Sequence, residues 1–199
     1  SAQKIRGSIF VMGALLSRLG KVQLPLPGGC AIGSRPVDLH LTLLRQIGVK
    51  CHYRNNNIIA SYTPKHHRKP VVLNLDFPSV GATENIIQAT TIGLAGNTYI
   101  IHGAAKEPEI VDLCNFLNQC GANITGAGTD TIIIKSTTSL HGTTYTPIPD
   151  RINTGSYLIA VAATGGDVTL TNVRPEHQIN LLSKLKNLGA KITTTYDAF

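Results

Sequence analysis

The sequence predicts an α/β protein built from one unit written three times, and three observations predict it. First, three segments open with proline and close with glycine at nearly equal length: Pro36 to Gly48, Pro108 to Gly121 and Pro175 to Gly189, separations of 12, 13 and 14 residues. Proline suits the first helical position, and glycine suits the left-handed residue just past the last turn. Each segment carries an acid soon after its proline (Asp38, Glu109, Glu176), where the helix dipole favours negative charge. Second, a strand-like run follows each glycine, over residues 49–53, 122–125 and 190–195. Third, another helical pattern lies upstream in each copy, over 5–19, 83–95 and 150–163, ending at Gly20, Gly96 and Gly165-Gly166.

Taken in order, the elements give a βαβαββ unit. Short alternating runs follow the upstream helices: Val22-Leu24-Leu26, Tyr99-Ile101 and Val168-Leu170. The second copy is complete: strand 71–76, helix, strand 98–102, helix, a strand at Ile124 and a strand over 131–135. Residues 4–62 read as the same unit without its opening strand. Residues 145–196 read as the unit without its closing strand.

Composition bounds the chemistry. The 199 residues are 42% hydrophobic and only 5% aromatic, with no Trp, so the core is aliphatic. The net charge of +7 fits an anionic surface, phosphorylated small molecules or nucleic acid. Aromatic-interleaved basic stripes are missing, which disfavours nucleic acid. The four cysteines, at 30, 51, 114 and 120, form no paired framework, and neither CxxC nor HExxH occurs, which disfavours zinc. Reduced thiols and a cytoplasmic location are the expectation. No apolar run reaches membrane length, so no membrane partner is expected. The run Lys65-His66-His67-Arg68-Lys69 reads as a solvated loop that binds anions weakly at most. Cys114 and Cys120 read as core-facing thiols on a helix.

The stretch Leu24 to His40, LPLPGGCAIGSRPVDLH, concentrates the chemistry. Gly28, Gly29 and Gly33 free the backbone around Cys30. Arg35-Pro36-Val37-Asp38 opens a helix, whose N–H groups and neighbouring guanidinium suit an anion, phosphate above all. Local chemistry alone leaves two readings, a reactive thiol beside an anion site or a surface turn with an incidental cysteine.

This stretch resembles the active-site loop of the enolpyruvyl transferases that act on UDP-N-acetylglucosamine. Asp76-Phe77-Pro78-Ser79-Val80-Gly81-Ala82-Thr83-Glu84-Asn85 agrees in order and spacing. So does the segment from Ala105-Lys106-Glu107-Pro108-Glu109-Ile110-Val111-Asp112 on to Pro149-Asp150-Arg151. The resemblance implies an inside-out α/β barrel, with helices in the centre and sheets outside. It implies that residues 1–144 are two of the three units of a first, cysteine-loop domain. Residues 145–199 are then the first unit of a second domain. It also implies that the opening unit with its Lys-Asn pair, the Asp base and a C-terminal Arg lie outside this chain. Isolated, the chain is expected to be inactive and to self-associate through apolar faces.

The implied reaction moves the carboxyvinyl group of phosphoenolpyruvate to the 3-hydroxyl of UDP-N-acetylglucosamine and releases phosphate, the first committed step of peptidoglycan synthesis. No cofactor or metal is required. Cys30 is the implied catalytic residue: a thiol with a pKa of about 8.5 is mostly protonated at neutral pH and can donate a proton, or its thiolate can attack the activated carbon. Arg6 resembles the family arginine that meets substrate phosphate; otherwise it is an exposed helix arginine. Arg35, Pro36, Val37, Asp38 and Leu39 match the segment that holds the uridine nucleotide, with dipole compensation a second role for Asp38. His40 lies near the base or is a satisfied core histidine. Ser79, Val80 and Gly81 hold the diphosphate through backbone N–H groups. Phe77 stands where some members carry a basic residue. Asp150 and Arg151 face the cleft or cap a helix.

Two other classes remain at this stage. The shikimate-branch enolpyruvyl transferase is disfavoured by Cys30 and the RPVDLH segment. A non-catalytic binding or scaffold module is disfavoured by retention of the whole cysteine loop, which is the fosfomycin target in members that carry it.

Overall fold

The computed structural model describes residues 6–26 and 37–198. They form two compact units, which divide between Tyr145 and Thr146.

In the first unit a 3-10 turn (Arg6–Ile9) leads into α1 (Met12–Leu19), β1 (Lys21–Pro25), α2 (Asp38–Gln46), β2 (Lys50–Arg54) and β3 (Asn57–Ser61). Gly20 closes α1 in the left-handed conformation at φ 69°. Asn55 and Asn56, at φ 48° and 58°, make the two-residue turn between β2 and β3. Two positive φ values are what a tight hairpin of right-twisted strands requires, and Asn tolerates them. The three strands pair antiparallel in the order β1-β3-β2.

The next elements are β4 (Val71–Asn74), α3 (Val80–Thr91), β5 (Thr98–His102), α4 (Pro108–Gln119), β6 (Asn123–Thr125) and β7 (Thr131–Lys135). This is the complete βαβαββ unit. Its sheet runs β4-β5-β7-β6; β4 and β5 are parallel, and the other two pairs are antiparallel.

α3 is the centre of the packing. Ala82, Thr83, Asn85, Ile86, Ile87, Ala89, Thr90 and Thr91 are all buried, so it is enclosed on nearly every side. It packs against α1, α2, α4 and β7. Two of its three buried threonines bond within the helix: the Thr90 and Thr91 hydroxyls each donate to a carbonyl one turn back, of Ile86 and Ile87, at 2.7 Å, while the Thr83 hydroxyl accepts from Ala105 N at 3.2 Å. The two sheets lie against the outer sides of the helices, and one face of each strand alternates toward solvent.

The sheets correct the barrel expectation. No sheet among the described residues closes. β1 and β2 are the edges of one sheet, β4 and β6 the edges of the other, and no ladder joins them. A barrel needs its first and last strands hydrogen-bonded to each other. Here the first two repeats each build their own sheet, and those two repeats are joined chiefly through contacts of α3 with α1 and α2.

The second unit corrects a second expectation. It contains α5 (Arg151–Thr164), a 3-10 turn (Pro175–Gln178) and α6 (Ile179–Asn187). The runs at 168–170 and 190–195 form no ladder; one bridge, Thr171 to Ala198, is present. Strand-forming residues make a strand only beside a hydrogen-bonding partner, and several strands are needed for a stable sheet. Leu158, Leu182 and Leu185 form a small core of their own.

α1 and α3 approach until backbone meets backbone. A Cβ on Gly13 would lie 2.1 Å from the Asn85 carbonyl oxygen. Gly13→Ala is therefore expected to destabilise the first unit by about 3 kcal/mol or more, as overpacking against backbone that cannot retreat. A lower urea midpoint with an unchanged slope checks this.

Candidate functional site

Four chain segments meet at an open cleft of ≈ 750 Å³. Phe77 to Gly81 and Glu84 come from the start of α3, Glu107 and Glu109 from the start of α4, and Phe10 and His40 close the side toward α1 and α2. Helix starts present unpaired N–H groups and partial positive charge. Ser79 is the N-cap of α3, its hydroxyl accepting from Ala82 N at 3.4 Å. The Ala82 N–H is thus occupied, and the Thr83 N–H goes to the Ser79 carbonyl. The N–H groups of Val80 and Gly81 remain as the helix's orphan donors.

The three helices at the cleft differ in their first turns. α2 carries Asp38 there and α4 carries Glu109, but α3 carries no acid. Of the three, only α3 leaves its dipole for an outside anion.

The cleft is held in shape by one buried amide. Asn85, 0% exposed, accepts from Gly13 N at 2.8 Å through Oδ1. Its Nδ2 donates to the Ile9 carbonyl at 2.9 Å and lies 2.8 Å from His40 Nδ1. The first two bonds fix which way the amide faces. Nδ2 is therefore the donor to His40 as well, so His40 Nδ1 accepts and Nε2 carries the proton. His40 is buried, its ring 6.1 Å from Phe10 at a 46° tilt. The core-histidine reading describes its contacts, and it also borders the cleft. Gly81 fits where nothing larger would: a Cβ there would meet Phe10 Cε1 at 2.4 Å and His40 Cε1 at 3.0 Å.

Glu84 is the electrostatic feature of the cleft. Burial, and after it the nearby Glu109 charge, together push its carboxyl up to about 7. The sequence singled out neither Glu84 nor Glu109 as a cleft residue. Both lie within matched motifs, but only the fold brings α3 and α4 together.

The remaining expected site residues fall as follows. Cys30, Arg35 and Pro36 lie outside the described residues, as does the side chain of Arg6. Val37 is buried beneath the start of α2, Leu39 packs against the core and Asp38 is exposed. Phe77 is 64% exposed at the cleft, an apolar side chain where a cation was the alternative. Asp150 caps α5, its Oδ1 accepting from Ile152 N at 2.8 Å and Asn153 N at 3.2 Å. Arg151 offers its carbonyl to Gln178 Nε2. Both belong to the α5 start in the second unit.

Two outcomes follow from this geometry. Asn85→Leu leaves Gly13 N, the Ile9 carbonyl and His40 Nδ1 without their partner, so a loss of about 3 kcal/mol or more is expected in denaturant titration. Glu84 has a folded-state pKa of about 7 against 4.5 unperturbed. The folded chain therefore keeps a proton that the unfolded chain releases, and stability falls as pH rises from about 4.5 to about 7. Glu84→Gln removes that penalty. Allowing for solvent in the cleft, it is expected to stabilise by about 1–2 kcal/mol at about pH 8 and to be neutral at about pH 4. Thermal melts of both chains across that range check the sign.

Comparison with known proteins agrees with this architecture. A family model described as EPSP synthase (3-phosphoshikimate 1-carboxyvinyltransferase) matches residues 1–199. UDP-N-acetylglucosamine 1-carboxyvinyltransferase 1 from Staphylococcus aureus is 50% identical over 189 residues, covering 95% of this chain and 44% of that protein. UDP-N-acetylglucosamine 1-carboxyvinyltransferase 2 from Staphylococcus saprophyticus is 47% identical over 195 residues, 98% of this chain and 45% of the relative. The chain thus spans a little under half the length of the curated relatives it matches. Among solved structures, the enolpyruvyl transferase NikO from Streptomyces tendae superposes with a TM-score of 0.77 at 20% identity, covering 98% of this chain and 46% of that one. EPSP synthase from Acinetobacter baumannii superposes with a TM-score of 0.63 at 20% identity, covering 94% and 42%. At that identity the superpositions show a shared fold, and the family follows from the match over the whole sequence: the chain belongs to the EPSP synthase (3-phosphoshikimate 1-carboxyvinyltransferase) family of carboxyvinyl transferases.

Proposed function

We propose that this chain is the cysteine-loop part of an enzyme that transfers the enolpyruvyl group of phosphoenolpyruvate to the 3-hydroxyl of UDP-N-acetylglucosamine, releasing phosphate. The observation that carries the reading is the start of α3. There Ser79-Val80-Gly81 presents two orphan N–H donors in a helix with no acid in its first turn, beside the cleft. That is a site for a diphosphate. Half-identity to relatives named for UDP-N-acetylglucosamine supports the choice of acceptor over shikimate phosphate.

In this reading residues 1–144 supply two units of the cysteine-loop domain, and residues 145–199 open a second domain. Arg35 to His40 and Ser79 to Gly81 hold the nucleotide, with Arg6 on phosphate and Asp150 and Arg151 toward the second domain. The Cys30 thiol protonates the vinyl CH₂ of phosphoenolpyruvate to CH₃. The cationic carbon left behind takes the sugar 3-oxygen, whose proton passes to a general base, the Asp that the resemblance implies. Loss of one CH₃ proton and departure of phosphate then restore the double bond. Peptidoglycan synthesis is the process such a product serves.

The structure supplies internal controls for a labelling test. Burial pushes the Cys114 thiol up to about 12. Burial also raises Cys51, against a smaller lowering by Arg45. Both stay protonated at neutral pH, and the thiolate is the nucleophile. Fosfomycin is expected to alkylate Cys30, its thiolate opening the epoxide and the alkoxide taking a proton, and to do so faster with UDP-N-acetylglucosamine present. Peptide mass spectrometry reads the adduct. Labelling of Cys30 no faster than Cys51 or Cys114, or indifferent to the nucleotide, overturns the reading.

A further inference from the structure

The charge of this chain is segregated. Residues 1–75 hold eleven of its 18 Lys and Arg but one of its 11 acids, Asp38. The pairing register places part of this excess on one face. In β1, β3 and β2 the outward positions align in rows: Lys21–Ser61–Lys50, Gln23–Ile59–His52 and Pro25–Asn57–Arg54. Lys21, Lys50, His52 and Arg54 are exposed, and no carboxylate stands on this face. The apolar side chains Ile58 and Ala60 point the other way, into the core.

The basic run at 65–69 follows Ser61 and Tyr62 in sequence and is anchored beside the start of β5, where His67 packs edge-on against Tyr99. It is tethered, not free. Buried Asn97 accepts from His67 N at 3.0 Å and donates to the Lys65 carbonyl at 2.8 Å. Lys65, His66, Arg68 and Lys69 remain exposed. Among the described residues, none of these Lys or Arg side chains is ion-paired.

We propose that the outer face of the β1-β3-β2 sheet, with the tethered 65–69 run, docks the protein on an anionic lipid surface. Three arguments select that occupant. Strands sit about 4.8 Å apart and rise about 3.4 Å per residue, so Lys21 and Lys50 stand about 10 Å apart and Lys50 and Arg54 about 14 Å. Cations spread along three strands match charge distributed over a surface better than they match a single phosphate. The outward rows hold no aromatic ring other than the His52 imidazole, and single-stranded nucleic acid binders use stacking platforms. Double-helical grooves admit a helix or a protruding ribbon, whereas this face is the broad side of a sheet packed on its helices. Each basic residue near an anionic leaflet adds to attraction, and the apolar members of the outward rows, Ile59 and Pro25, are half-buried, so binding is mainly electrostatic and salt-reversible. The lack of a membrane-length helix among the described residues bears on spanning, not on surface docking.

Cosedimentation of the full chain with vesicles tests this. Vesicles of phosphatidylglycerol and phosphatidylcholine in equal parts are expected to bind it at low salt and release it at about 0.5 M salt, where screening shortens to a few Å. Phosphatidylcholine vesicles are expected not to bind it. The double variant Lys50→Glu/Arg54→Glu and the triple variant Lys65→Glu/Arg68→Glu/Lys69→Glu should each weaken binding about tenfold or more. Lys184→Glu/Lys186→Glu, in the second unit, should not. If a melt shows a charge-reversed chain unfolded, the Gln versions replace it and should still weaken binding. No binding to the anionic vesicles, equal binding to both vesicle types, or full binding by both folded variants overturns the proposal. Tighter binding to a single-stranded oligonucleotide or to polyglutamate than to the anionic vesicles, at equal charge concentration and salt, also overturns it, in favour of that other polyanion.

Discussion

The Asn85 amide is the constraint on which the rest of the first unit depends. One fully buried side chain ties the Ile9 carbonyl, the Gly13 N–H and the His40 ring to α3. These partners lie 45 to 76 residues away in sequence. An amide can serve all three because it carries both donors and acceptors. Its full satisfaction makes the network stabilising; a half-satisfied one would be worse than an apolar contact. Gly13 permits the approach, since any Cβ would strike the α3 backbone. The fold and the cleft therefore share one support, and Gly81, Phe10 and His40 are placed by the contact that packs α1 on α3.

Much of this was legible in the sequence. The proline-to-glycine spacings located α2, α4 and the 3-10 turn with α6, because capping is local chemistry. The complete βαβαββ unit followed from alternation and length. What failed was long-range pairing. Residues 168–170 and 190–195 alternate like strands, yet pattern states only that a strand is possible, and these runs have no ladder partner. Barrel closure was inferred from resemblance, and it depends on edge strands meeting, which no residue pattern in β1, β2, β4 or β6 encodes.

The cleft divides in the same way. Asp150 as a cap was readable, because it directly precedes its helix; the sequence places Ser79 only ahead of a helix start, and the helix begins at Val80 instead of Thr83, which makes Ser79 its cap. Phe77 was readable as a departure from a basic position. Glu84 was not, since its raised pKa arises from burial and from Glu109, 25 residues on and on another helix. The Asn85–His40 contact was hidden for the same reason. His40 alone was ambiguous, and the partner that resolves it sits on α3.

Electrostatics joins these levels. The acids of the first unit gather mainly after residue 75, and Glu84, Glu107 and Glu109 line the cleft itself. A carboxylate wall opposes anion binding, so the cleft can accept a phosphate only where the local field is reversed. α4 and α2 spend their N-terminal dipoles on their own Glu109 and Asp38. α3 has only the neutral hydroxyl of Ser79 at its cap. The orphan N–H groups of Val80 and Gly81 are thus the positive point in an otherwise acidic surround. A Glu84 carboxyl that holds its proton up to about pH 7 lowers the repulsion there further. In the proposed reading the result is an anion position oriented by backbone and sensitive to pH, set by which helix lacks an acid in its first turn.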